Sequence, residues 1–223
     1  MGKLIVIDGT DGSGKQTQFN KLKERFEKEG IEYKVASFPN YENESSALVK
    51  MYLSGKFGEN AKDVNPYIAS TFFAVDRYAT YKTTLESFYN SGGIILVDRY
   101  TTSNMIHQAG KIKEKEEREK FLNWLWDLEF NLYGIPVPTK TFFLNMPTEV
   151  TLKLMAEREN KFTHTQTKDI HERDINHLKD SYNAALSLVD KYDWTEIKCI
   201  KDNKIKTIEE IHEEIWNEIK KYI

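Results

Sequence analysis

Cysteine is almost missing from this chain. Among 223 residues only Cys199 carries a thiol, so no disulfide can close within the chain and a scaffold held by cross-links is excluded. Such usage fits a reducing, cytoplasmic setting. Long apolar runs are also lacking, and none approaches the roughly 20 residues that a membrane-spanning helix requires. The apolar run at 4–7 stops at Asp8 and is too short for a secretory leader. Neither sign of charge dominates. Lys and Arg number 32 against 35 Asp and Glu, a formal charge of −3, so the surface as a whole steers toward neither a nucleic-acid polymer nor an anionic membrane. Anions must therefore be held by a local site. Low-complexity segments and repeats are absent, and no linker divides the chain, so one domain over 1–223 is expected.

What is present is an alternation of short apolar runs with helical periodicity. Leu4-Ile5-Val6-Ile7 and Ile94-Ile95-Leu96-Val97 read as strands buried on both faces. Further strands are expected at 33–38, 141–144 and 195–200, the last holding Cys199 as a buried, unreactive side chain. Helices are expected at 17–28, 45–53, 66–89, 116–132, 148–159, 174–192 and 207–222. Pro66 suits a first helical position, and Gly30 a helix end. Strands alternating with helices predict an α/β fold, a five-stranded parallel sheet with helices on both faces. The polar stretch 160–168 between two helices is a candidate flap. Trp124 and Trp126 are expected to pack in the core or at a subunit contact.

Gly9-Thr10-Asp11-Gly12-Ser13-Gly14-Lys15 matches the first seven positions of the Walker A pattern. Its context is right, with a buried strand before it and a helix after it. Glycines let the backbone curl so that several N–H groups point at one anion, and the helix adds the positive end of its dipole. Lys15 can reach the β and γ phosphates. The eighth position, normally Ser or Thr for Mg²⁺, is Gln16, followed by Thr17. Three readings stay open: the Gln16 amide oxygen ligates the metal, Asp98 holds it through water, or the chain binds nucleotide without turnover.

The strand at 94–97 delivers Asp98-Arg99-Tyr100 to its carboxyl end, where open α/β sheets bind ligands. The tripeptide offers a carboxylate for Mg²⁺ and a guanidinium for phosphate. Here the sequence resembles the thymidylate kinase family, P-loop nucleoside monophosphate kinases. The matching stretches are Gly9 through Gln18, Ser37-Phe38-Pro39, Phe73-Ala74-Val75-Asp76-Arg77, Asp98 through Ser103, His107-Gln108 and Gly134-Ile135-Pro136-Val137-Pro138. A looser match runs through His171-Glu172-Arg173.

The resemblance implies a P-loop fold with a lid at about 158–173, and transfer of the ATP γ-phosphoryl group to dTMP with Mg²⁺. It also implies a cytoplasmic homodimer in which the helix at 116–132 pairs across the two-fold axis. The phosphate loop, Gly9 to Thr17, would hold ATP. Phe73 would stack on the acceptor base and Arg77 bond its edge, with Gln108, Ser103 and Asn104 completing recognition beside Phe38 and Pro39. Arg99 would hold the acceptor phosphate, and Asp11 would lie near the sugar and phosphate. Arg158 and Arg173 would neutralise the transferring group from the lid. Departures are visible. Ser37 replaces an arginine two residues before Pro39, Gly12 stands where some members carry a basic residue, and His107 replaces an aromatic beside the sugar. Kinases of another deoxynucleoside monophosphate or of a deoxynucleoside, and a non-catalytic nucleotide-binding protein, are the alternatives. A deoxynucleoside kinase needs a carboxylate after the second strand, and only Glu42 is offered.

Overall fold

Side-chain alternation along the central strand decides which helix covers which face. The computed structural model describes residues 1–156 and 170–223, without the side chains of residues 172 and 173. Its strands are β1 (Lys3–Gly9), β2 (Tyr33–Ser37), β3 (Ile94–Asp98), β4 (Lys140–Asn145) and β5 (Thr195–Lys198), in the spatial order β2-β3-β1-β4-β5. All four pairings are parallel. Ile5 and Ile7 join Leu96, Phe142 and Leu144 on one face. There they pack on Phe19, Leu22 and Phe26 of α1 (Lys15–Lys28) and on Ile211, Ile215, Trp216 and Ile219 of the last helix, α10 (Ile208–Ile219). Leu4 and Val6 point the other way, with Ile95 and Val97, onto Tyr81, Leu85 and Tyr89. Both faces are thus covered, which is why these strands read as unbroken apolar runs.

Between those two helices lie α2 (Ala47–Leu53), α3 (Pro66–Thr80), α4 (Glu86–Asn90), α5 (Thr101–His107), α6 (Lys115–Trp126), α7 (Thr148–Met155), α8 (Ile170–Arg173) and α9 (Ile175–Lys191). The helix expected at 66–89 is α3 and α4 joined by one wide π turn, Tyr81–Leu85. The helix expected at 116–132 likewise ends in a π segment, Asp127–Leu132. α5 has no sequence counterpart among the expected helices. The fifth strand stops at Lys198, and Ile200–Lys201 pairs with Lys204–Ile205 in a small hairpin. Its tip, Asp202-Asn203, has left-handed backbone at both residues, φ 50° and 59°, as a two-residue hairpin turn requires. Cys199 is fully buried, and burial pushes its thiol up to about 12, which leaves it unreactive. Trp124 and Trp126 are partly buried against the cluster formed by α5, α6 and α9. Among the described residues, no helix is long and apolar enough to cross a membrane.

Candidate active site

The parallel registers bring three strand ends to one place. Asp98 pairs with Ile7 on one side and with Ser37 on the other. The chain leaving each strand is tied to its neighbour: Arg99 N donates to Ile7 O at 3.1 Å, and Phe38 N donates to Asp98 O at 3.0 Å. The loop between β1 and α1 therefore lies beside the Asp98-Arg99-Tyr100 turn.

Two residues of the loop adopt left-handed backbone, Gly12 at φ 80° and Gly14 at 87°. Gly12 also has no space for a side chain. A Cβ there would meet Met155 Cγ at 2.6 Å and the Thr151 carbonyl oxygen at 2.8 Å. A basic residue at this position would not fit against α7. Gly12→Ala is expected to cost about 1–3 kcal/mol through backbone strain alone, read as a melting temperature lower by roughly 2–4 °C per kcal/mol. An unchanged melting temperature would mean that residue 12 does not hold this left-handed backbone.

Lys15 opens α1 and is 6% exposed. Its Nζ donates to the carbonyls of Gly9 and Thr10 at 2.9 and 2.8 Å. Burial, and then the Arg99 charge, lower its pKa to about 7. Arg99 sits above the loop in left-handed backbone, φ 66°, an uncommon conformation for a residue with a side chain. Its Nη2 is ion-paired with Asp11, and Nη1 lies 3.4 Å from His107 Nε2. Burial works against the Arg99 charge, but Asp11, Asp8 and Asp98 outweigh it and raise its pKa. Asp98 is buried and accepts from Ser37 Oγ at 3.4 Å. Gln16 is exposed in the first turn of α1, its amide nitrogen donating to Asn20 Oδ1 at 3.2 Å. Arg158 and the Arg173 side chain lie outside the described residues, as does most of the expected lid.

The residues expected to read the acceptor occupy α3, α5 and the turn after β2. Phe38 is buried, and its bond to Pro39 is cis. Phe73 is half-buried, edge-on to Tyr52 with ring centroids 6.1 Å apart. Asn104 is buried and donates from Nδ2 to Ser70 O at 3.3 Å. Ser103 Oγ donates to the Asp8 carboxylate at 2.9 Å. Gln108 has zero exposure, and neither its amide oxygen nor its nitrogen has a hydrogen-bond partner among the described residues. Leaving such a group unpaired costs about 1–3 kcal/mol, and a ligand with both donor and acceptor would relieve it.

Arg77 is the least expected of these. It is 1% exposed and held along one edge of its guanidinium by Glu129, itself 0% exposed. Nε and Nη2 each donate to a Glu129 oxygen at 2.6 Å. Nη1 and the second N–H of Nη2 make no other hydrogen bond among the described residues. Thr101 Oγ1 adds a bond to Glu129 Oε2 at 2.8 Å.

Sequence reading missed three supports. Glu129 has no local signal, since its partner is 52 residues away in the chain. In the sequence Asp8 reads only as the end of an apolar run. It is fully buried, and it accepts from Gly9 N, Thr102 Oγ1 and Ser103 Oγ. Burial raises its pKa. Asp76 accepts from Asn40 N at 2.8 Å and Ser45 Oγ at 2.6 Å, fastening the turn after β2 to α3.

A lysine stored inside its own loop, beneath an arginine held there by carboxylates, is poised to exchange those partners for a polyphosphate. With the strand order around it, this places the protein among the P-loop phosphotransferases. Comparison then narrows the class. The family model described as thymidylate kinase matches residues 7–215, and the chain belongs to that family. It is an ATP-dependent phosphotransferase. The thymidylate kinase of Mycobacterium tuberculosis (strain ATCC 25618 / H37Rv) is 29% identical over 172 residues, covering 77% of this chain and 78% of its own. A protein of Pyrococcus horikoshii described as "Probable thymidylate kinase" is 26% identical over 219 residues, covering 96% of this chain and 94% of its own. The thymidylate kinase of Bifidobacterium longum (strain DJO10A) is 27% identical over 160 residues, covering 72% and 74%.

Proposed function

We propose that the protein phosphorylates dTMP to dTDP with ATP, within a single domain over 1–223 whose lid lies at about 158–173. The observation that carries this reading is the meeting of Lys15, Asp11 and Arg99 at the ends of β1 and β3. The phosphate loop, Gly9 to Thr17, takes the ATP phosphates, and Lys15 turns from its own carbonyls to the β and γ groups. Arg99 takes the acceptor phosphate, with Asp11 beside the sugar. Phe73 stacks on the base and Arg77 reaches its edge through Nη1. Gln108 and Asn104 pair with it, with Ser103 and the Phe38-Pro39 turn alongside.

An acceptor phosphate oxygen attacks the γ phosphorus as the bond to the β–γ bridging oxygen breaks, and ADP leaves with that electron pair. The attacking oxygen is already anionic, so no side chain need remove a proton. Arg158 and Arg173 neutralise the transferring group from the lid. Mg²⁺ fits the oxygen donors present, since the Asp98 carboxylate is buried beside Lys15 and hard cations take such ligands. Asp98 and the Gln16 amide oxygen would hold it, and when bound it supplies charge neutralisation. Glu42, the carboxylate that deoxynucleoside phosphorylation would need, is exposed.

The deciding assay presents one acceptor at a time with ATP and Mg²⁺ and follows ADP together with acceptor diphosphate. The expected result is dTDP from dTMP, with thymidine inert. A preference for another monophosphate would overturn the base assignment. Binding of ATP without product from any acceptor would overturn the reading itself. The working form is proposed to be a cytoplasmic homodimer paired through α6 and its π continuation. Sedimentation velocity at micromolar protein should show the dimer mass, and a monomer there would refute it.

A further inference from the structure

Three histidines converge beside the Arg99–Asp11 pair although they come from separate segments of chain. His107 ends α5, His171 lies in α8, and His177 lies in the first turn of α9. They are 5%, 6% and 1% exposed. One ring nitrogen from each lies within 4.8 Å of the others. The ring centroids of His171 and His177 are 4.5 Å apart, and His107 stacks on His171 at 5.8 Å.

A packing role alone accounts poorly for their polar atoms. Among the described residues, Nδ1 of His107 and both ring nitrogens of His177 are buried without a hydrogen-bond partner. Buried polar atoms are otherwise nearly always paired. Burial is the first cause that holds His107 and His171 well below their ordinary range and His177 at about 4. All three rings are therefore neutral near pH 7, the form that ligates metals. His171 is oriented from outside the cluster: its Nε2 lies 2.8 Å from Tyr52 Oη, which accepts from Lys111 Nζ at 2.8 Å. Ligating histidines are commonly held this way through their second nitrogen.

We propose that His107, His171 and His177 form a binding site for a first-row transition-metal dication, zinc fitting best. Three imidazoles with a fourth position left to water is a recurrent zinc arrangement. Imidazole also selects zinc, cobalt or nickel over Mg²⁺. Tetrahedral coordination needs nitrogens roughly 3.3 Å apart, from a Zn–N bond of about 2.0–2.1 Å, so the rings close inward by side-chain rotation on binding. Charges of both signs face the cluster, and Asp180 is itself paired with Lys62 and Lys113. Arg99 is paired with Asp11, Lys111 is lowered to about 7 by burial, and Asp174 and Asp180 add negative charge near His177. This site is distinct from the Mg²⁺ position at Asp98, and through the His107 contact with Arg99 it borders the proposed acceptor phosphate site.

The test uses untagged full-length protein, stripped with a chelator and titrated with Co²⁺ near neutral pH with excess Mg²⁺ present. Visible d–d absorption should grow to one ion per chain and vanish when Zn²⁺ is added. His177→Asn and His171→Asn should each weaken binding by more than the roughly 10–100-fold that losing an outer hydrogen-bond partner costs. Binding equally strong in both variants, or no absorption in the parent protein, would overturn the proposal. Should a variant fold poorly, X-ray absorption on zinc bound to the parent protein decides. A shell with three imidazole nitrogens supports the site, and a shell of oxygens alone refutes it.

Discussion

Lys15→Ala is expected to lower turnover with saturating ATP by about a hundred- to a thousandfold, the scale of one lost charge-stabilising donor in a phosphoryl or acyl transfer site. The structure adds a second signature. In the ligand-free protein Lys15 has its pKa lowered to about 7, first by burial and then by Arg99. Near pH 7 to 8 a sizeable fraction of the chains therefore holds it neutral, bonded to the carbonyls of Gly9 and Thr10. The β and γ phosphates bring negative charge against it and favour the ammonium form. Nucleotide binding should then take up protons over the interval between the free and bound pKa values, by the linkage that ties any pKa change to the bound state. Calorimetry of ATP binding in buffers of different ionisation enthalpy measures that uptake directly. It should be present in the parent protein at pH 8 and largely lost in Lys15→Ala. A variant that keeps near-normal turnover would refute the role of Lys15. Unaltered proton uptake in the variant would assign the titration to another group.

What could be read in advance was whatever the chain writes contiguously. The phosphate loop and the Asp98-Arg99-Tyr100 turn are runs of adjacent residues between elements with strong patterns. The strands β1 and β3 announce themselves because burial on both faces makes them continuous apolar runs. α5 was illegible for the opposite reason. Thr101 to His107 is short, β-branched and polar, and six of its seven residues are buried, so no helical stripe separates an inner from an outer face. The hairpin after Cys199 is hidden because its first residue, Ile200, continues the β-rich pattern of the fifth strand, and its turn depends on two left-handed residues, Asp202 and Asn203. The site divides in the same way. Lys15, Asp11 and Arg99 belong to legible motifs and do come together. Asp8 and Glu129 act through partners brought near only by the folded sheet and helices. Spacing along the chain carries no trace of them.

The Arg77–Glu129 pair shows what that hidden layer is worth. Glu129→Ala is expected to destabilise the protein by about 3–5 kcal/mol, because it strands a guanidinium in the interior. At roughly 2–4 °C per kcal/mol for a chain of this size, the melting temperature should fall by about 6–20 °C. The size follows from burial: the two side chains are 1% and 0% exposed and share two hydrogen bonds of 2.6 Å. An exposed pair would be worth a small fraction of that. The double variant Arg77→Met with Glu129→Met separates folding from recognition. Removing both charges removes both desolvation costs, and such replacements are often neutral or better. Most of the lost stability should therefore return. Acceptor binding should not return, because under the proposed function the outer edge of the Arg77 guanidinium meets the base. The double variant is expected to melt near the parent protein while its KM for dTMP stays raised by about tenfold or more, equivalent to roughly 1.4 kcal/mol. Two outcomes would count against the arrangement. If Glu129→Ala melts with the parent protein, the pair is not the buried coupling described. If the double variant binds dTMP normally, Arg77 is a structural cation and the base is read elsewhere, with Gln108 the first residue to substitute.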